Sequence, residues 1–496
     1  MRDAGNERPI NAEQKLPRST PEEQGVAASG IAGFLSAVEA KRLELHGLMI
    51  VRHGHVVAEG WWAPYNSEQP HMLFSLSKSF TSTAVGFAVA EGLLTVEDKV
   101  ASFFAGQLPE PLDERLAAMR VKDLLTMSAG HASPIMGGEW RRTEGDWARY
   151  FLSRPMDHAP GSRFMYNSGA TYMLSAIVQK AAGQTLLDYL LPRLFQPLGI
   201  RVSGWDTCPS GINTGGWGLS LTTEDLAKFG QFYLQKGVWR GKRLLPEAWI
   251  EQATSCQIAN SAGERIDSRQ GYGYQFWRSR HNSYRADGAF GQFCIVMPEQ
   301  DAVIAIHGGL SDMQGVMDSL WEHLLPAMSE EGRLPGDRVA EAALRDKLQR
   351  LALSLPRLQT DSPLAARISG KRYAFGANPQ RIESVTFEFG EHGYRFHLTD
   401  HRGTHRIDCG LGQWHTGVTT MTGGELHHRY EPDTLRVAAS AGWRDDAALV
   451  MTWCFVETPF TDTVVCRFEG GRLRLERSVN VNSGETELPV VWGELV

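Results

Sequence analysis

The chain has no surplus of basic charge. Its 496 residues carry 50 lysines and arginines against 57 aspartates and glutamates, a formal net charge of -7. A nucleic-acid footprint, which needs clustered basic residues, is therefore not expected, and the mild acidity reads as ordinary solubility. No run approaches 18 apolar residues, so no membrane-spanning helix is expected. The first 25 residues are polar and lack the apolar segment of a secretory signal, which makes the cytoplasm the default compartment. The six cysteines (Cys208, Cys256, Cys294, Cys409, Cys454 and Cys466) are scattered, with no C-x-x-C pair. That spacing argues against a disulfide framework or a zinc site and for buried free thiols. There is no G-x-S-x-G elbow, no H-E-x-x-H and no G-x-x-x-x-G-K-[ST] loop. "GGWG" at 215–218 neither follows a strand nor opens a dinucleotide-binding helix, so it reads as a close-packed turn near the functional site. His427 and His428 are adjacent in an expected hairpin, where they would face opposite ways and share no metal. No cofactor and no metal are expected.

What the chain does have is length and apolar content. Hydrophobic residues make up 42% of it and charged residues 22%, enough for a large core divided among two or more domains. "LHGLMIVRHGHVVAEG" (45–60) reads as a hairpin around His53-Gly54. Amphipathic helical segments follow, among them "ATYMLSAIVQKAAG" and "TTEDLAKFGQFYLQKG", the latter capped by Thr222 or Thr223. Strands return at "GYGYQFWRS", "GQFCIVMPEQ" and "AVIAIHGG", and a helix closes the segment. Strands at both ends of a helical block predict an antiparallel sheet flanked by helices, with a separate all-helical part, over residues 1–328. Residues 329–366 read as a charged linker holding one helix. From 367 to 496, seven or eight short alternating runs separated by turn residues predict an antiparallel β sandwich or barrel.

The chemistry is sought in "HMLFSLSKSFTSTAVGFAVAEGLL" (71–94). Ser75 and Lys78 are three residues apart, hence on one face of a helix. A serine hydroxyl is a poor nucleophile until a base takes its proton. A lysine can be that base only where burial or nearby positive charge disfavours its ammonium form. The apolar run after Lys78 makes such burial reasonable. The plain alternative is a capping serine with a solvated lysine in the first turn, and the spacing alone does not exclude it.

The wider stretch "FSLSKSFTSTAVGFAVAEGLLTVEDKV" resembles the nucleophile segment of the serine β-lactamase and penicillin-binding-protein superfamily, in particular its class C and esterase branch. The resemblance extends to "LMIVRHGHVVAEGWW", "VKDLLTMSAGH", "APGSRFMYNSGATYMLSAIVQKAAGQTLLDYLLPRLFQPLGI", "GGWGLSLTTEDLAKFGQFYLQKG" and "GAFGQFCIVMPEQDAVIAIHGG". It covers about residues 20–325. It implies the α/β sandwich of the serine β-lactamase/DD-peptidase type, and a serine hydrolase working through an acyl-enzyme on an ester or amide. The competing class is a binding or regulatory protein that retained the penicillin-binding fold without turnover.

By the same resemblance, Ser75 is the nucleophile, and Lys78 and Tyr166 move its proton. The family's Tyr-x-Asn motif is here Tyr166-Asn167-Ser168, so Ser168 stands where an asparagine contacts substrate and lysine, and Asn167 is expected to point elsewhere. The family's Lys-Thr-Gly falls on Ala286-Asp287-Gly288, and the N–H of Ala289 is expected to complete an oxyanion hole with that of Ser75. The missing lysine would otherwise hold a substrate carboxylate. Its absence argues for a poor β-lactamase acting on neutral esters or amides, unless Arg285, Arg141 or Arg142 takes its place. Trp140, Trp147, Trp205, Trp217 and Trp277 are candidates for packing or for an aromatic pocket. The partner implied is a small-molecule ester, amide or peptide. The C-terminal part resembles the lipocalin-like barrels of some relatives, which leaves room for a homo-oligomer.

Overall fold

The computed structural model describes residues 15–135, 144–260, 265–330 and 332–496. Trp140, Arg141 and Arg142 lie outside these. The chain divides into two compact units. One comprises residues 1–60, 72–307 and 312–350, and the other 61–71, 308–311 and 351–496.

The first unit is built on a six-stranded sheet. Its strands are β1 (Leu45–Arg52), β2 (His55–Trp61), β3 (Trp277–Arg278), β4 (Tyr284–Gly288), β5 (Gln292–Met297) and β6 (Ala302–Gly308). They lie in the order β2-β1-β6-β5-β4-β3, with β5 antiparallel to both β4 and β6. β1, β5 and β6 are buried along their whole length, as the near-continuous apolar runs "LMIV", "FCIVM" and "AVIAI" require of strands covered on both faces.

Four helices frame this sheet and its catalytic candidates: α1 (Ala28–Ala40), α2 (Ser77–Ala90), α3 (Ser168–Ala182) and α4 (Thr223–Leu234). α2 is buried from Ser77 to Ala88. A helix so enclosed must satisfy its hydroxyls internally. Ser79 donates to the Gln275 carbonyl at 2.7 Å, Thr81 to the Gly215 carbonyl at 2.8 Å, and Thr83 lies 2.7 Å from the Tyr233 hydroxyl. Phe80 stacks on Phe229 of α4 with ring centres 3.9 Å apart. α4 is capped by Thr222, whose side chain accepts from the Asp225 N–H. α5 (Arg338–Gln349), in the segment read as a linker, belongs to the first unit. It buries Leu344 and sends Lys347 to Glu39 of α1 at 2.8 Å.

The second unit is a closed barrel. Its strands are β7 (Arg372–Phe375), β8 (Ile382–Gly390), β9 (Gly393–Asp400), β10 (Gly403–Leu411), β11 (His415–Thr419), β12 (Leu435–Asp445), β13 (Ala448–Cys454), β14 (Thr461–Glu469), β15 (Arg472–Val479) and β16 (Val491–Leu495). Neighbours pair antiparallel in the order β10-β9-β8-β7-β16-β15-β14-β13-β12-β11. A two-residue parallel contact, Gly410 with Ser440 and Leu411 with Ala441, joins β10 to β12 and closes nine strands into a ring. Burial alternates along β9 and β14, the period-two signature of strands with one face in a core. That core is aromatic: Phe387 packs against Phe396 and Phe468, and Trp443 donates to the Tyr394 hydroxyl at 3.1 Å. The segment 61–71 joins this unit through the Tyr65 hydroxyl, which donates to the Thr458 carbonyl at 2.9 Å. His427 ends a single 3₁₀ turn, Gly424–His427, rather than sitting in a hairpin strand. Its Nε2 lies 2.7 Å from Asp462, which also accepts from Arg477.

Among the described residues, the six cysteines form no disulfide. Five are buried and Cys256 is exposed, which corrects the expectation for that one. Among the described residues, no helix is long and apolar enough to cross a membrane.

Candidate active site

Ser75 sits in a 3₁₀ turn, Phe74–Leu76, that runs directly into α2. The residue is half-buried, so it remains reachable. Phe74, the residue before it, has φ of 49°. A left-handed backbone is unfavourable for a bulky side chain and persists only where the surroundings enforce it. The surroundings here are visible. Phe74 meets Phe290 edge-on at 5.3 Å, and β4 runs against the turn itself. A Cβ on Gly288 would fall 2.0 Å from the Leu73 carbonyl oxygen and 3.1 Å from the Leu76 nitrogen. Only glycine allows that approach.

Lys78 is 1% exposed. Its Nζ donates to Ser75 Oγ at 2.8 Å and to the Gly216 carbonyl at 2.9 Å. This excludes the solvated lysine and capping serine of the plain alternative, and no side chain caps α2. Burial pushes the Lys78 ammonium from 10.5 down to about 7, while the Asp287 carboxylate pulls the other way. The "GGWG" turn therefore lies at the site, and its Gly216 carbonyl is an acceptor for Lys78.

Tyr166 is half-buried, with its ring 4.9 Å from Lys78 Nζ. Burial pushes its phenol up and Asp287 adds to this, while a hydrogen bond with Ser75 works in the opposite sense. The three side chains thus converge. Tyr166 stacks on Trp277 at 5.5 Å and 24°, and Tyr272 closes the cluster edge-on to both rings.

Ser168 opens α3. A Cβ on Gly216 would lie 3.5 Å from the Ser168 Cβ and 3.6 Å from Lys78 Nζ, so these groups share one wall. Asn167 turns away from that wall. Its Oδ1 caps α3 by accepting from Gly169 at 2.9 Å and also accepts from the Ile135 N–H at 3.1 Å.

On β4, Arg285 and Asp287 are two residues apart and so share a face. Arg285 Nε donates to Asp287 Oδ2 at 2.8 Å. Its Nη1 donates to the Asp267 carbonyl and Ser279 Oγ, at 2.8 and 2.6 Å, and its Nη2 to Ser268 Oγ at 3.1 Å. Arg285 is therefore not a free cation in place of the missing lysine. Asp287 and Ala289 are both half-buried at the rim, and Ala286 is buried. Of the candidate tryptophans, Trp147, Trp205 and Trp217 are core residues. Trp277 is the one stacked on Tyr166.

The profile of the Beta-lactamase family matches residues 23–311. A 6-aminohexanoate-dimer hydrolase from Paenarthrobacter ureafaciens is 26% identical over 318 residues, 60% of this chain and 81% of that protein. Esterase EstB from Burkholderia gladioli is 27% identical over 203 residues, 36% of this chain and 52% of that protein. Among solved structures, a Bacillus anthracis protein provisionally assigned as a 6-aminohexanoate-dimer hydrolase superposes with a TM-score of 0.53 at 18% identity, covering 66% of this chain and 90% of its own. That last likeness speaks to the fold.

Proposed function

The chain belongs to the beta-lactamase family, and within it we propose that this member is a serine hydrolase that cleaves esters or amides through an acyl-enzyme. The observation that carries the reading is the buried Lys78 ammonium site 2.8 Å from Ser75 Oγ. Neutral Lys78, with Tyr166, takes the Ser75 proton as Oγ attacks the carbonyl, and the same pair protonates the leaving group. The N–H groups of Ser75 and Ala289 face the developing oxyanion. Gly288 lets β4 come close enough for that, and Ser168 and Asp287 line the pocket. Water then releases the acyl group.

Linear amides and neutral esters fit best. The names of the P. ureafaciens and B. gladioli relatives support including both bond types. The rim offers aromatic surface at Tyr166 and Trp277, and its cation, Arg285, is already engaged.

The test is hydrolysis of a short-chain p-nitrophenyl ester by wild type, Ser75→Ala, Lys78→Ala and Lys78→Arg, with fluorophosphonate labelling located by mass spectrometry. Label on Ser75 is expected. Either lysine change should cost on the order of 100-fold in kcat, because a guanidinium cannot give up its proton. Background rates in wild type without labelling would overturn the reading.

A further inference from the structure

The described residues around the site form an ordered pile. Arg285 lies with its guanidinium 5.7 Å from the Trp277 ring centre, Trp277 stacks on Tyr166 at 5.5 Å, and Lys78 Nζ lies 4.9 Å from the Tyr166 ring. Each of two stacked rings thus has one basic side chain against it, and the Arg285 guanidinium is close enough to the Trp277 face for a cation–aromatic contact. Arg285 is held on three sides and is 3% exposed, so it is a fixed strut. Its Nε–H reaches Asp287, whose side chain is 14% exposed and whose charge is felt at Lys78.

We propose that the Arg285–Asp287 pair is a positioning device: Arg285 braces Trp277 and through it Tyr166, and the paired carboxylate fixes the charge that Lys78 faces. Asp287 has no part in bond making. It stands where the family's third motif carries its middle residue, and Arg285 holds and partly screens it. The inference rests on the reading of Lys78 as the base.

Among the described residues, the groups facing Lys78 are few. The turn before α2 contributes Ser75, the segment before α3 contributes Tyr166, β4 contributes Asp287 with Arg285 behind it, and the Gly215–Gly218 turn contributes a carbonyl. Tyr272, behind Tyr166, is buried with its phenol pushed up. Asp287 is the one of these that opposes the loss of charge on Lys78 caused by burial. Removing its charge should let Lys78 lose its proton more readily. Removing Arg285 leaves the carboxylate unscreened and should do the reverse.

The experiment is the rate of Ser75 labelling by a fluorophosphonate as a function of pH, in the full chain, for wild type, Asp287→Asn, Arg285→Gln, the double variant and Arg285→Lys. The acid limb should move to lower pH in Asp287→Asn, on the order of half to one pH unit, and to higher pH by less in Arg285→Gln, whose charge acts on Lys78 through the carboxylate it screens. In the double variant and in Arg285→Lys it should stay within about 0.3 of wild type. Opposite shifts in the two single variants are a signature that a merely structural pair would not produce. Shifts in the same direction, or none, overturn the proposal. Should Asp287→Asn not fold, because it leaves a buried guanidinium unpaired, Arg285→Gln decides alone: a limb unmoved or moved to lower pH refutes the pair's role. A wild type that is not labelled on Ser75 refutes the hydrolase reading itself, which is a different result.

Discussion

Replacing Lys78 with methionine separates what this residue costs the fold from what it does at the site. A lysine that gives up its proton near pH 7 rather than 10.5 makes the fold less stable by about 5 kcal/mol well below pH 7 and by about 4 kcal/mol at pH 7, relative to a side chain that never charges. The sign comes from proton counts. Between pH 7 and 10.5 the unfolded chain binds the proton and the folded chain does not, so stability rises with pH and the penalty fades. By pH 8 it is about 3 kcal/mol, and by pH 10 about 1 kcal/mol. Methionine keeps the apolar stem but abandons two acceptors, Ser75 Oγ and the Gly216 carbonyl, at about 1 kcal/mol each. The variant should therefore be about 2 kcal/mol more stable than wild type at pH 7 and about 1 kcal/mol less stable at pH 10. For a unit of about 335 residues, that is a gain of about 3 °C in Tm turning into a loss of about 1 °C. The assay is thermal unfolding of wild type and Lys78→Met, scanned from pH 7 to 10, reading only the difference between them. A difference that stays constant with pH, or a variant already less stable at pH 7, would refute the claim that Lys78 is buried at the expense of its charge.

Gly288→Ala should be damaging although the residue has no side chain to contribute. Its Cβ would meet the Leu73 carbonyl at 2.0 Å, so the strand must retreat from the Ser75 turn, and hydrolysis should fall by on the order of 100-fold with a far smaller change in far-ultraviolet circular dichroism; wild-type kinetics would show that the close approach is unimportant. Nitrocefin should be a poor substrate beside a neutral p-nitrophenyl ester, by roughly 10- to 150-fold in kcat/KM, the worth of one charge-assisted contact to a carboxylate; equal values would mean that a cation still reaches the substrate.

The parts of this molecule that were legible in its sequence are those fixed by neighbours along the chain. The Ser75 and Lys78 pairing comes from helical spacing, and the Thr222 cap and the turn at His53-Gly54 from local backbone chemistry. The same holds for the alternation of β9 and β14, and for Asn167, one residue off the motif and turned into a cap. What was not legible depends on chain segments far apart. The Gly216 carbonyl reaches Lys78 across 138 residues. Trp277 looks like any other tryptophan until it stacks on Tyr166, and three of its fellow candidates are simply core. The barrel's closure rests on two residue pairs between β10 and β12, too short to leave a pattern. The helix at 338–349 is charged enough to read as a linker, yet Leu344 and Lys347 tie it to the first unit.

The strained and costly features are concentrated at one point, and they depend on each other. Phe74 has a left-handed backbone, as does Phe290, its edge-on partner in the turn after β4. For residues of this size each such conformation costs about 1 to 2 kcal/mol. Lys78 is buried within one helical turn of Phe74. None of these would persist on an isolated helix, where Phe74 would relax and Lys78 would turn to water. They hold because α2 is anchored along its length by Ser79, Thr81 and Thr83, and because Gly288 lets β4 press directly on the turn. A side chain at 288 would push the strand away, free Phe74 and open a path for water to Lys78. The glycine and the lysine are therefore coupled. Loss of the first should raise the proton affinity of the second toward its solvent value, so Gly288→Ala should carry the acid limb of the Ser75 labelling rate to higher pH as well as lower its height. A limb that stays near pH 7 in that variant would mean that Lys78 is kept dry by α2 alone.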